Sequence, residues 1–186
     1  TLTLWCVYFF RNPERITPVL SGSNVNNLIT SPADGRVIEI TELTPNEEIG
    51  LPEGKWKRIC IFMNVFDVHV NRSPMLGQIT YKKYIPGSFF NASLDKASDE
   101  NERLILNMDT KNGNKIAFVQ IAGLIARRII CDVDIGNSLK AGEIFGLIRF
   151  GSRVDVYIPS EVSVMVLKGQ KMIAGETILG DFSKNA

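Results

Sequence analysis

Residues 147–159 read LIRFGSRVDVYIP, and their alternation predicts a β-strand with one apolar face. The apolar side chains at every second position are Ile148, Phe150, Val154, Val156 and Ile158, and the other face carries Arg149, Arg153, Asp155 and Tyr157. Ser152 falls on the apolar face. Gly151 precedes it and interrupts a run of β-forming residues, where a glycine usually marks a bulge or a close backbone approach.

Ser152 has two interpretations at this position. A buried serine commonly forms a hydrogen bond with a neighbouring backbone group, which is the more frequent case. In the other interpretation the hydroxyl attacks the carbonyl of Gly151, cuts the chain between residues 151 and 152, and turns Ser152 into a new N-terminal group. The strand by itself leaves both interpretations open.

Composition narrows the class of protein. A chain of 186 residues suits one domain with a full core, and its net charge of +1 argues against a protein that binds nucleic acid through bulk charge. The three cysteines, Cys6, Cys60 and Cys131, lie among apolar residues and predict free thiols in a reducing compartment. One histidine and scattered cysteines give no spacing for zinc, so no metal is predicted.

The N-terminal stretch Leu2–Phe10 is strongly apolar but shorter than the roughly 20 residues that span a bilayer. Arg11 and Arg15 follow it at once, which is the order expected where a chain leaves a membrane on the cytoplasmic side. We interpret residues 1–27 as the tail of a truncated membrane anchor followed by a linker rich in Pro, Ser, Gly and Asn. The alternative is a buried strand or helix that packs on the domain.

Two residues outside the Gly-Ser strand are candidates for a catalytic role. Asp34 lies in a turn, Thr30–Gly35, where an aspartate ordinarily bonds its own backbone. His69 is the only histidine and therefore the only side chain whose ordinary pKa lies near neutrality. A lone histidine is more often structural than catalytic, but this one shares a polar face with Asp67 and Asn71 on an otherwise apolar run.

The fold prediction follows from turns and repeats. Lys111–Asn114 reads KNGN and predicts a hairpin between two strands. The segments around Gly142 and Gly175, LKAGEIFG and MIAGETIL, form a weak internal repeat that predicts two related hairpins packed together. Few segments have a helical period. Residues 28–186 are therefore predicted as a single, mainly β domain of the β-rich α+β class, a sandwich or flattened barrel.

Six stretches, taken in order, match the motifs of one family: FFRNPER (9–15), SPADGRV (31–37), FDVHVNRSP (66–74), KAS (96–98) with NER (101–103), QIAGLIARR (120–128) and FGSRVD (150–155). With them the chain resembles the phosphatidylserine decarboxylase proenzymes of the short bacterial type. Its glycine-turn repeat is also similar to the barrel-sandwich hybrid of lipoyl and biotinyl domains.

The resemblance implies an enzyme that makes its own pyruvoyl cofactor from Ser152. The serine attacks the Gly151 carbonyl to give an ester, and elimination then separates residues 1–151, the β subunit, from residues 152–186, the α subunit. Asp34 and His69 match the other members of the family's Asp-His-Ser processing triad, in which a base activates a poor nucleophile.

This chain departs from many relatives at one position. Those relatives have a second histidine three residues after the first, where this chain has Arg72, and arginine cannot act as a base.

The implied reaction is decarboxylation of phosphatidylserine to phosphatidylethanolamine. The implied partners are that lipid, an anionic membrane surface and the two subunits of the cut chain, and association into a homodimer is left open. The implied location is the cytoplasmic face of the cell membrane.

Two alternatives remain. One is a decarboxylase of another serine-headed lipid. The other is a non-enzymatic carrier or adaptor module like lipoyl and biotinyl domains, although neither Lys140 nor Lys171 has the Met-Lys-Met setting that such carriers use.

Overall fold

The computed structural model describes residues 2–18, 27–93, 97–123, 128–149 and 151–185, and strands dominate it. In chain order the strands are β1 (Leu28–Thr30), β2 (Gly35–Leu43), β3 (Trp56–Met63), β4 (Val70–Arg72), β5 (Gly77–Ile85), β6 (Arg103–Asp109), β7 (Lys115–Ile121), β8 (Arg128–Cys131), β9 (Ser138–Leu139), β10 (Ile144–Arg149), β11 (Ser152–Pro159), β12 (Val162–Val164), β13 (Lys171–Met172) and β14 (Ile178–Asn185). The helices are α1 (Leu2–Phe9), a 3-10 turn (Glu47–Ile49) and α2 (Ala97–Glu100). The predicted β-rich class is confirmed.

The largest sheet has eight antiparallel strands in the order β13-β2-β3-β11-β7-β6-β5-β9 and curls into a half-barrel. Strand β11 lies near its middle, between β3 and β7. It pairs with β3 over its whole length, from Ser152 opposite Met63 to Pro159 opposite Trp56. The segment that begins at Ser152 is therefore an internal strand of the main sheet.

Two smaller sheets, β1-β14-β12 and β4-β10-β8, pack against one face of the large sheet. One buried apolar cluster contains side chains from all three sheets, among them Ile29, Met63, Phe118, Phe145, Ile148, Val154 and Leu179. A second, smaller cluster around Trp56, Ile105 and Tyr157 covers the opposite face of the large sheet. This layering confirms the predicted sandwich.

The prediction of one continuous strand over residues 147–159 is wrong. Strand β10 ends at Arg149 and β11 begins at Ser152, and the two belong to different sheets. Gly151 has a φ of +61°, in the left-handed region that favours glycine, so the chain turns there from one layer into the other. The interruption by glycine was visible in the sequence, but apolar alternation continues across it and cannot reveal a change of sheet.

The run from Arg58 to Asn71 divides in the same way. Strand β3 ends at Met63, a turn follows at residues 64–67, and β4 begins at Val70 in the smaller sheet. His69 therefore lies at the entry to β4, where the chain has just changed layers.

The hairpin predicted around residues 111–114 is confirmed, but the two hairpins predicted around Gly142 and Gly175 are wrong. The strands that flank Gly142, β9 and β10, pair with other strands in different sheets, and so do β13 and β14, which flank Gly175. The repeat marks two similar glycine turns that pack together. Strands β6 and β7 form the hairpin expected around residues 111–114, with Gly113 at a φ of +79°. Gly142 and Gly175 both have left-handed φ values, +78° and +75°. A Cβ atom added to Gly175 would lie 3.3 Å from the Cα of Gly142, so the two related turns pack directly on each other.

The N-terminal segment, residues 2–18, touches the domain at a few points. Phe9 of α1 is buried, whereas Leu4, Val7 and Tyr8 are exposed. Beyond α1 the chain has no regular structure up to residue 18, but the Arg11 guanidinium donates hydrogen bonds to the carbonyls of Tyr8 and Phe66. Within the described part of the chain, no helix has the length and apolar character needed to cross a membrane.

Candidate active site

His69 and the Gly151–Ser152 pair meet where the two layers join. The backbone N–H of Gly151 donates a hydrogen bond to Nε2 of His69 at 3.2 Å. On the other side of the ring, Nδ1 lies 3.0 Å from the carbonyl oxygen of Asp67. Because Nε2 accepts, Nδ1 carries the proton and donates it to Asp67, which fixes the tautomer of the ring.

Burial keeps this imidazole neutral. His69 is 2% exposed, and the ring of Phe9 lies on it with 4.1 Å between centroids. Burial lowers the pKa of His69 to about 4, and the positive charge of Arg11 acts in the same direction, while the Asp67 carbonyl opposes the shift. At neutral pH His69 is therefore an uncharged base with its free electron pair directed at the Gly151 amide.

Ser152 is fully buried, as its place on the apolar face predicted. Its hydroxyl donates to the sulfur of Met63 at 3.4 Å, and a thioether is a weak acceptor. Among the described contacts no hydrogen bond joins the hydroxyl to His69. The nucleophile predicted from sequence is thus held beside the base, in a polar contact that is easily exchanged.

The carbonyl of Gly151 packs against Gly123. A Cβ atom built on Gly123 would lie 2.0 Å from the Gly151 oxygen, so only glycine fits there without moving the peptide that Ser152 would attack. Gly123 belongs to the QIAG stretch (120–123), which begins within β7 and ends just after it, and no local sequence pattern indicates this close approach.

Asp34 has a different set of hydrogen-bond partners. Nη2 of Arg15 contacts both carboxylate oxygens, at 2.8 and 3.0 Å, and the backbone N–H of Ala174 donates to Oδ1 at 2.8 Å. Asp34 does not bond its own turn. Within the described residues, no hydrogen bond or ion pair connects Asp34 with His69, so the structure brings together two members of the predicted triad and ties the third to the N-terminal segment.

Arg72, at the position compared above with a second histidine, forms hydrogen bonds that connect parts of the fold. Its guanidinium donates to the carbonyls of Gly142 and Pro13 and to Oδ1 of Asn12. It therefore links the glycine turn at residue 142 to the N-terminal segment, on the same side of the molecule as Arg15.

The outer face of β11 carries a buried ion pair that the sequence did not single out. Arg153 and Asp155 form two hydrogen bonds at 2.6 and 2.7 Å, and their side chains are 0% and 1% exposed. Burial raises the pKa of the neighbouring Cys60 thiol, which keeps it protonated and unreactive. The sequence does contain one sign of this ion pair, since its two opposite charges lie two residues apart on an otherwise apolar strand. Their burial depends on the second cluster, which sequence alone does not place.

The model of the phosphatidylserine decarboxylase family matches residues 2–180, which include every residue of this site. The chain belongs to this family. It is similar to the phosphatidylserine decarboxylase proenzyme of Rickettsia bellii (strain OSU 85-389), with 56% identity over 182 residues that make up 98% of this chain and 77% of the relative. The proenzyme of Rickettsia akari (strain Hartford) is 55% identical over the same shares.

Membership in the phosphatidylserine decarboxylase family decides between the alternatives left open by the sequence. The chain is a decarboxylase of a self-processing family, and the carrier or adaptor interpretation is set aside. The proenzyme name of the relatives implies that the chain is processed.

Proposed function

We propose that the protein cuts its own chain between Gly151 and Ser152 and then decarboxylates phosphatidylserine with a pyruvoyl group derived from Ser152. The observation that carries the proposal is the hydrogen bond from the Gly151 amide to Nε2 of His69, next to a fully buried serine. The names of the relatives supply the substrate.

In the proposed self-cleavage, Ser152 Oγ forms a bond to the Gly151 carbonyl carbon as His69 takes the hydroxyl proton. The C–N bond between the two residues breaks, and the proton passes to the nitrogen, so the chain rearranges to an ester with no atom gained or lost. Elimination then removes the Cα proton of the former serine and breaks its Cβ–O bond, which leaves a carboxylate on Gly151 and a Cα=Cβ double bond. The resulting enamine takes up a proton at Cβ and becomes an imine. Water replaces the nitrogen of the former serine, which leaves as ammonia.

His69 suits this role because it is neutral and pre-oriented. A base must be uncharged to accept a proton, and burial secures that state throughout the neutral range. The Asp67 carbonyl does the orienting that a carboxylate performs in many triads. Asp34 remains in the proposal as the acidic processing residue that the resemblance implies, and its bond to Ala174 joins the two future subunits.

The surroundings of Ser152 fit a pyruvoyl group. Such a group supplies a carbonyl that condenses with the substrate amine and accepts the electron pair left as carbon dioxide departs. Met63 and Val154 make this position apolar and fully buried, which disfavours a carboxylate relative to a transition state with dispersed charge. We assign the return of a proton to the substrate carbon to His69, the only histidine of the chain, which must first take that proton up because it is neutral at rest.

The proposal includes a membrane-facing N-terminus. Leu4 and Val7 of α1 are 74% and 69% exposed, and Phe10 is also exposed, so this helix presents apolar side chains beside the site. Residues 1–27 would then meet an anionic lipid surface on the cytoplasmic side, and residues 28–186 would form the decarboxylase domain with its β (1–151) and α (152–186) subunits.

An intact mass of the purified protein under denaturing conditions tests the self-cleavage. We expect two chains that divide between residues 151 and 152, the smaller with an N-terminal pyruvoyl mass, and a single uncut chain for Ser152→Ala. Ser73→Ala is the matched control, because Ser73 is equally buried and donates to the Met75 carbonyl away from the site. Cleavage that persists in Ser152→Ala would move the nucleophile elsewhere.

Release of carbon dioxide from phosphatidylserine vesicles then tests the substrate. The cut wild-type protein should release it, and Ser152→Ala should not. Equal release from another serine-headed lipid would favour the alternative substrate.

A further inference from the structure

Two buried amides, Asn71 and Gln120, lie close to Ser152 and the apolar side chains around it. Asn71 of β4 and Gln120 of β7 are both 0% exposed. Nε2 of Gln120 donates to Oδ1 of Asn71 at 2.8 Å, so the pair bridges the small sheet and the large one. Neither residue has a part in the chemistry described so far.

Asn71 is directed at the atom that holds the nucleophile. Its Nδ2 donates to the Met63 sulfur at 3.8 Å, and the Ser152 hydroxyl donates to the same sulfur at 3.4 Å. Two donors thus converge on one weak acceptor. The amide N–H of Asn71 and the hydroxyl of Ser152 therefore share one sulfur atom as their acceptor.

Gln120 decides which way the Asn71 amide faces. By donating to Oδ1 it holds the oxygen of Asn71 on its own side and turns the NH₂ group toward Met63 and Ser152. Strand pairing supports this placement, because Gln120 lies opposite Val154 and Ser152 opposite Met63, all on the inner face of the sheet.

As a purely structural link between the two sheets, this amide pair would cost free energy. Oε1 of Gln120 is buried with no partner among the described residues, and an unsatisfied buried polar group costs about 1–3 kcal/mol. Two apolar side chains of similar volume would join the layers without that penalty. The amide pair therefore gives the fold less stability than an apolar pair of the same volume would.

We propose that Asn71 and Gln120 are positioning residues for self-cleavage. When His69 takes the proton of Ser152, the hydroxyl leaves the Met63 sulfur, and the N–H of Asn71 donates to the oxygen as negative charge develops on it. Gln120 acts through Asn71 by keeping that N–H on the serine side. The inference rests on the proposed cleavage at Ser152 and adds two residues to it.

The test compares cleavage rates of newly synthesised full chains. We expect Asn71→Leu and Gln120→Met to be cut on the order of 10- to 100-fold more slowly than wild type, the loss expected for a hydrogen bond to a charged group. Asn107→Leu is the matched control. Asn107 is 4% exposed, donates to the Gly50 carbonyl and also has an oxygen without a partner among the described residues, but it lies on the other face of the sheet.

Gln120→Glu separates orientation from packing. A buried glutamic acid has a raised pKa, and its protonated form can still donate to Oδ1 of Asn71. This variant should be cut at nearly the wild-type rate at low pH and lose that rate as the carboxyl ionises, whereas Gln120→Met should be slow at every pH. A purely structural tie would show this pH dependence in thermal stability alone and leave the cleavage rate of the folded chain unchanged.

Each outcome decides a different point. Wild-type rates in Asn71→Leu and Gln120→Met, with thermal stability lowered as in Asn107→Leu, would reduce the pair to a structural tie and overturn the inference alone. An uncut wild-type chain would overturn the self-cleavage proposal itself. Slow cleavage in all three apolar variants would show that loss of stability, and not position, controls the rate.

Discussion

The strand that follows Gly151 and the segment that begins the chain contact the site in opposite ways. Strand β11 is paired on both edges, and its ion pair Arg153–Asp155 is fully buried. The N-terminal segment has no strand pairing and touches the site through side chains, with Phe9 on His69 and Arg15 on Asp34. In the ion pair between Arg15 and Asp34 the side chains are 12% and 13% exposed.

The difference shows that the two sides of the site are held in different ways. The side formed by β11 is fixed by strand pairing, and the side formed by the N-terminal segment is adjustable because single side-chain contacts hold it. Ser152 cannot move without disturbing a ladder of hydrogen bonds in the main sheet. The environments of His69 and Asp34, in contrast, depend on a few contacts that can be removed singly. Variants on the two sides should therefore differ in size and in kind of effect.

The largest effect should come from breaking the buried pair. Asp155→Asn leaves the Arg153 charge without its partner in the interior, and we expect the free energy of unfolding to fall by about 3–5 kcal/mol. Urea denaturation followed by circular dichroism measures this loss. Replacing both residues, as Arg153→Met with Asp155→Leu, should recover most of the lost stability. A loss below about 1 kcal/mol in Asp155→Asn would contradict the prediction, because it would mean that the ion pair lies in a far more polar environment.

A smaller effect should appear in the pH dependence of stability. The pKa of His69 is about 4 in the folded protein and near 6.5 when unfolded, so only the unfolded chain takes up this proton between those values. The contribution is fully present above pH 6.5 and is lost as pH falls toward 4, on the order of 2–3 kcal/mol.

Comparing His69→Gln with wild type isolates that contribution, because the carboxylates titrate in both. The two stability curves should converge as pH falls from 6.5 to 4. Phe9→Leu, which uncovers the ring, should raise the pKa of His69 in the folded variant, so that the loss of stability below pH 6.5 is smaller and ends at a higher pH than in wild type. A loss equal to that of wild type would mean that Phe9 does not control the burial of His69.

The smallest effect should come from the partly exposed pair. A double-mutant cycle with Arg15→Met and Asp34→Asn should give a coupling free energy of about 1 kcal/mol, because water still reaches both side chains. Thermal or urea denaturation of the four proteins provides it. A coupling as large as the loss in Asp155→Asn would remove the distinction between the two sides.

Much of the fold could be predicted from local pattern. Alternation marked the strands, the KNGN turn marked the hairpin, and the repeat placed Gly142 near Gly175. The crossing between layers at Gly151 could not be predicted, because apolar alternation continues on both sides of it. Alternation reports which face of a strand is buried and does not report which sheet the strand joins.

From the sequence we proposed the reactive members of the candidate site, but not the residues that support them. Ser152 stands out as a hydroxyl on an apolar strand, and His69 stands out as the only histidine of the chain. Arg15 lies in a segment whose composition is typical of a linker, and Phe9 in a stretch typical of a membrane anchor, so their contacts with Asp34 and His69 are long-range facts that local sequence does not encode.

The internal position of β11 has a consequence for the cut protein. The residues after the cut supply β11 between β3 and β7, and β14 between β1 and β12, so they remain woven into two sheets. Cleavage would turn one chain into an interlocked heterodimer with no covalent link. Its refolding would become a second-order reaction that slows on dilution, and a denatured mature enzyme would recover far less readily than its uncut precursor.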